Sequence, residues 1–231
     1  MNGTFELFGW THFAMLALSA AGWWCLVRCG RQVAGTPRGE ALRRVMGVSI
    51  LLVNLPFLCW KLWPDHFEVG GSLPLHLCDV AWMAAAWSLL SAADFKKLRH
   101  QLVYYWALGL SPLAVLTPDL EQGPASPVFW IFWLRHFQII GAALLNFGAF
   151  GVRPSRKGYF QTIAVTAAIL LPVTWFNVLF DTSYFYTGRP TSSQPSPLDL
   201  LGEWPLRIAW IVLLTAVLFT LMTLPARRTR K

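Results

Sequence analysis

The sequence is poor in charge and poorer in acid: 13% of its 231 residues are Asp, Glu, Lys or Arg, and 11 of them are acidic. With 55% hydrophobic residues, 13 Trp and 16 Phe, a soluble globule of this size would lack the polar surface needed to cover itself. The opening "MNGTFELFGW" has no basic leading region, and no small-residue cleavage site precedes "VRCGR". A cleaved signal peptide is therefore not expected, and the first apolar run stays as a helix. No repeat suggests the inverted halves of a transporter. No pair of histidines one helical turn apart suggests a compact metal motif. Long polar linkers are also missing, so residues 1–231 read as a single domain.

What the chain does have is apolar runs of bilayer length, about 20 residues for about 30 Å of hydrocarbon. Seven are present, near 8–28, 45–63, 74–92, 101–117, 128–150, 159–180 and 204–224. The fold class expected is an all-α polytopic membrane protein with seven transmembrane helices. Asn54 and Pro56 mark a kink in the second run, and Pro74 suits the first turn of the third.

Charge placement gives a direction. Arg28, Arg31, Arg38, Arg43 and Arg44 follow the first run; Lys96, Lys97 and Arg99 follow the third; Arg153, Arg156 and Lys157 follow the fifth; Arg227, Arg228, Arg230 and Lys231 form the tail. The alternate loops carry Asp65, Glu68, Asp119, Glu121, Asp181, Asp199 and Glu203, with Lys61, Arg189 and Arg207 nearby. Because basic residues stay on the cytoplasmic side, the N-terminus is expected outside and the C-terminus in the cytoplasm. The net charge of +8 then meets anionic lipid headgroups rather than nucleic acid.

On this map the polar residues within the apolar runs gather in the outer half: His12 in the first run, His76, Cys78 and Asp79 in the third, Arg135, His136 and Gln138 in the fifth, and Asn177 in the sixth. The inner half has Asn146 and little else, and His66 and His100 fall in loops. Ionisable groups at such depth need partners or a polar cavity, so a set converging from several helices reads as one buried site. On an intact helix His76 and Asp79, three apart, share a face, whereas Cys78 lies about 200° from His76. The base for the Cys78 thiol is thus expected from another helix, and His136 is the candidate by depth. Cys78 at the start of its helix would have its thiolate favoured by the helix dipole. Arg135 is expected to balance Asp79 or a phosphate. Each also has a plainer role: Cys78 as a small apolar residue, and His12 as a histidine satisfied by a nearby carbonyl. Cys25 and Cys29 lie at the cytoplasmic end of the first run, where a disulfide is not expected.

The stretches "GWTHFAML" (9–16), "LPLHLCDVAW" (73–82), "FWLRHFQ" (132–138), "NVLFDTSYFYTGRP" (177–190) and "SPLDLLGEWP" (196–205) resemble the bacterial YwaF-like integral membrane proteins, which are related to eukaryotic transmembrane protein 164. The likeness runs in order along nearly the whole chain. It implies a multi-pass protein of the bacterial cytoplasmic (inner) membrane and membrane phospholipids as partners. For the eukaryotic branch it implies a phospholipid acyltransferase with a membrane-embedded Cys and His, the cysteine carrying the acyl group. Those two positions correspond here to Cys78 and His136.

The function expected is a lipid acyltransferase or transacylase, with Cys78 and His136 catalytic and His12, His76, Asp79, Arg135 and Asn177 in support. No cofactor and no metal ion is expected. Two other classes stay open. One is a metal-dependent membrane hydrolase using His12, His76, Asp79 and His136 as ligands; the other is a proton-linked transporter or binding protein.

Overall fold

The computed structural model describes residues 4–91, 94, 97–189 and 200–224. Lys96, Asp199 and the tail cations Arg227, Arg228, Arg230 and Lys231 lie outside the described residues. The α-helices are α1 (Trp10–Val33), α2 (Pro37–Lys61), α3 (Leu77–Leu90), α4 (Leu98–Tyr105), α5 (Ser111–Leu116), α6 (Pro127–Gly148), α7 (Arg156–Phe180) and α8 (Leu206–Thr223). A π-turn, Trp106–Leu110, joins α4 to α5, and 3-10 turns span Pro64–His66 and Tyr184–Tyr186. The β pairing among the described residues is one bridge between Thr4 and Gln122.

Helix starts follow local chemistry. Thr36 and Ser126 each offer a side-chain oxygen to a first-turn N–H, Gly39 and Val128 respectively, and each is followed by proline at the first helical position. That combination satisfies an orphan donor and fixes φ where no donor is needed. Ser155 caps α7 in the same way, through Gly158 N–H at 2.9 Å.

Five helices, α1, α2, α6, α7 and α8, are long and apolar enough to cross a membrane. The two other runs expected to span differ in form. The third starts late: α3 has 14 residues, because "GGSLP" (70–74) and an extended His76 hold the chain out of helix until Leu77. At 1.5 Å per residue it is about 21 Å long. The fourth is interrupted at Pro112, which has no N–H to offer the Leu108 carbonyl, and the ladder widens to a π-turn just before it.

α6 is the central post, packed against α1, α2, α3, α4 and α5. A main core forms where α3, α4 and the π-turn meet α6, around Trp82, Leu89, Tyr105, Ile139 and Leu145. α8 is tied on by Tyr105 Oη and Thr223 Oγ1, 2.8 Å apart, and by Tyr104 Oη–H donating to the Met222 carbonyl. The outer faces stay apolar and exposed, as with Leu18 and Trp24 on α1, Leu171 and Trp175 on α7, and Leu213 and Leu221 on α8. Surfaces of this kind fit lipid rather than water.

The end that carries the basic loops holds more polar structure than the sequence suggested. His100 is not in a loop: α4 begins at Leu98, so His100 is helical and buried, with Nδ1 2.6 Å from Ser88 Oγ. Ser88 Oγ also accepts from Asn146 Nδ2, and Arg43 Nη2 donates to the Ser88 and Ser91 carbonyls. A buried polar layer thus joins α2, α3, α4 and α6.

Beside it, Gln101 donates to the Arg153 carbonyl at 2.9 Å and accepts from Ser155 N–H at 3.0 Å, which locks its amide against α7. A Cβ at Gly158 would collide with Gln101 Oε1 and sit 2.5 Å from its Cδ. Gly158→Ala is expected to destabilise the protein by about 1–3 kcal/mol. Gly71→Ala, whose nearest neighbour would be Glu68 Oε2 at 3.9 Å, is expected to leave thermal unfolding in detergent unchanged.

Candidate functional site

The site is built at the start of α3. His76 is its N-cap, with extended backbone, and the Asp79 carboxylate accepts the His76 backbone N–H through Oδ2 at 3.3 Å. A carboxylate at this position meets both an orphan donor and the positive end of the helix dipole. The expected face-sharing of His76 and Asp79 is therefore realised through the His76 backbone, because the helix starts one residue after it.

The other oxygen of Asp79, Oδ1, receives Arg135 Nη2 from α6 at 2.7 Å, and both residues are buried. Arg135 Nε donates to Asn54 Oδ1 on α2 at 2.6 Å, and Asn54 Nδ2 donates to the Ile50 carbonyl at 2.8 Å. The Arg135 guanidinium also lies 5.1 Å from the Phe57 ring centre. Guanidinium suits this task because its planar fork serves two acceptors at once while its face rests on an aromatic ring. Lys61, the last residue of α2, is a second cation near this pair.

Cys78 and His136 are the chain neighbours of Asp79 and Arg135, so the bridge brings their helices together at the level of both. Cys78 is half-buried in the first turn of α3 and packs against the main core. His136 is buried, with Nδ1 2.8 Å from the Phe132 carbonyl one turn back. A carbonyl can only accept, so Nδ1 carries the proton and Nε2 holds the free lone pair, the tautomer that a general base needs. Among the described residues Cys78 and His136 make no hydrogen bond to each other.

The remaining expected residues have structural roles. His12 lies apart, buried between α1 and the end of α5. Phe8 N–H donates to its Nδ1 at 3.1 Å, and its Nε2–H donates to the Val115 carbonyl at 2.8 Å. Both ring nitrogens are thus taken by backbone, within a ring of Phe5, Phe8, Phe13 and Trp133. Asn177 is likewise committed: its Nδ2 donates to the Tyr184 carbonyl and Thr187 Oγ1, and its Oδ1 accepts from Thr182 Oγ1 and Tyr184 N–H. It folds the turn after α7 instead of orienting a histidine. That turn presents Tyr184, which the sequence reading missed. Its hydroxyl donates to the Val69 carbonyl at 2.7 Å and accepts from Leu73 N–H at 3.1 Å, and its ring lies 4.7 Å from that of His76. Tyr184 thus closes the side of the site next to the turn after α7. Asn54 was also missed as a site residue, although a polar residue two positions before a mid-helix proline was its visible signal.

Fold and site together define a multi-pass helical membrane protein with a buried ionic bridge flanked by a cysteine and a histidine. The chain belongs to the TMEM164 family, whose model matches residues 7–223. Comparison with curated proteins and with solved structures gave no match.

Asp79→Leu strands a buried guanidinium and Arg135→Leu a buried carboxylate, so each is expected to cost about 3–5 kcal/mol, whereas the two changes combined are expected to cost less than either single change. Thermal unfolding of the four proteins in one detergent checks this. A double variant as unstable as the sum of the singles would show that the bridge contributes no coupling.

Proposed function

We propose that this protein transfers acyl chains between membrane phospholipids through a thioester on Cys78. The Cys78 sulfur attacks the carbonyl carbon of a phospholipid ester while His136 Nε2 takes the thiol proton. The carbon–oxygen bond breaks, and the leaving lysophospholipid oxygen takes that proton. In the second half His136 deprotonates an acceptor hydroxyl, whose oxygen attacks the thioester carbonyl, and the thiolate leaves and is reprotonated. This is the division of labour of Cys–His catalysis.

The observation that carries the reading is the Asp79–Arg135 bridge, which ties together the helices bearing these neighbouring residues, while the backbone bond at His136 Nδ1 leaves the Nε2 lone pair free. Family membership supports a membrane setting. Because Arg135 is held by Asp79 and Asn54, it acts as a positioning residue, and Lys61 at the end of α2 is the cation assigned to a lipid phosphate. The metal-hydrolase reading has less support: among the described residues no three His, Cys, Asp or Glu side chains are grouped as a metal site would need.

The topology belongs to the same proposal. α1, α2, α3, the α4–α5 unit, α6, α7 and α8 are seven crossings, with the N-terminus outside, the C-terminus in the cytoplasm of a bacterial cell, and the site in the outer half. Single cysteines placed at Thr191 and Arg156 should then label from opposite sides of the membrane. Labelling from one side would overturn the seven-crossing arrangement.

Lipid profiles of membranes with and without the protein test the chemistry. Cys78→Ser is expected to insert normally and lose nearly all remodelling, because a serine hydroxyl is far less ionised than a thiol. His136→Ala should lose it as well, and a chelator should have no effect. Remodelling that survives Cys78→Ser but stops with a chelator would replace the thioester mechanism by the metal-dependent one.

A further inference from the structure

At the end of the bundle opposite Cys78, Trp87 of α3, Asp94 and residues at the starts of α4 and α7 line an open cavity of about 1040 Å³. Among the described residues its wall carries four cations, Lys97, Arg99, Arg153 and Lys157, against one acid, Asp94. Asp94 stands 3.5 Å from Lys97 and offsets part of that charge, so the described lining is cationic on balance. The dipoles of α4 and α7, whose first residues line the wall, point their positive ends the same way.

The lining also has an apolar part. Trp87 lines the cavity and is 53% exposed, and with Met83 and Leu90 it forms an exposed stripe along α3 at the i, i+4, i+7 spacing of one helix face. A cationic pocket that continues into a lipid-facing apolar stripe matches a molecule charged at one end and apolar at the other.

We infer that this cavity binds the phosphate headgroup of an anionic phospholipid, with the acyl chains lying along Met83, Trp87 and Leu90. A soluble phosphate shares the headgroup's chemistry but would leave the apolar wall uncovered. Cys78 and Leu90 are 12 helical residues apart, about 18 Å at 1.5 Å per residue, so this site is separate from the proposed acyl-transfer centre and stands whether or not that reading does.

Native mass spectrometry of the full-length protein in detergent tests this with three probes at equal concentration: phosphatidylglycerol, phosphatidylcholine and inorganic pyrophosphate. The wild type is expected to retain phosphatidylglycerol several-fold over phosphatidylcholine. Lys97→Gln with Lys157→Gln, both exposed, should bring that preference close to unity. Arg28→Gln with Arg44→Gln removes the same charge outside the cavity and should leave the preference intact. Equal loss in both double variants would overturn the site in favour of diffuse surface attraction. Binding of pyrophosphate that displaces phosphatidylglycerol at equal concentration would overturn the lipid assignment, as would equal retention of the two lipids by the wild type.

Discussion

An ion pair buried among apolar helices sets the terms for this molecule. Removing Asp79 and Arg135 from water costs several kcal/mol per charge, and the pair is tolerated only where good geometry and further hydrogen bonds offset that cost. The structure supplies both: a 2.7 Å contact, the Asn54 oxygen on Nε, the His76 N–H on the second carboxylate oxygen and the Phe57 ring beside the guanidinium. The partners come from three helices, so the demand of the buried charges for satisfaction fixes α2, α3 and α6 relative to each other. The late start of α3 follows the same logic, since an N-terminus at His76 is what gives Asp79 its second donor.

Two other polar assemblies frame the bridge. At the end of the bundle away from the basic loops Asn177 folds the turn that delivers Tyr184 against Val69, Leu73 and His76. Toward the basic end, Ser88, His100, Asn146 and Arg43 bind α2, α3, α4 and α6. Neighbouring helices in lipid gain little from hydrophobic association, so interhelical hydrogen bonds of this kind carry much of the specificity of packing. The half-buried Cys78 lies between these assemblies, on a helix held at both ends.

Much of this was legible because charge in an apolar run demands an explanation. Asp79 and Arg135 stood out for that reason, and Arg135 does balance Asp79. Helix positions were legible from apolar length, but their ends were not. The first turns of α2, with Arg38, Glu40, Arg43 and Arg44, are too polar for a membrane window, although Thr36–Pro37 marked the start. His12 and Asn177 looked like members of the site because depth and residue type are all a sequence offers. Their actual partners are backbone groups and hydroxyls brought up by tertiary folding: the Val115 carbonyl from the end of α5, and Tyr184 and Thr187 from a turn with left-handed residues at Asp181, Phe185 and Tyr186. Neither periodicity nor spacing encodes such contacts.

The most direct measurement is the intact mass of the purified protein after incubation with a phospholipid and no acceptor, followed by mapping of the modified peptide. A thioester mechanism predicts a mass increase of one acyl chain, located on Cys78, released by neutral hydroxylamine and absent from Cys78→Ser. Acyl transfer that proceeds with no adduct on Cys78, or with the adduct on Cys25, Cys29 or Cys59, would contradict it.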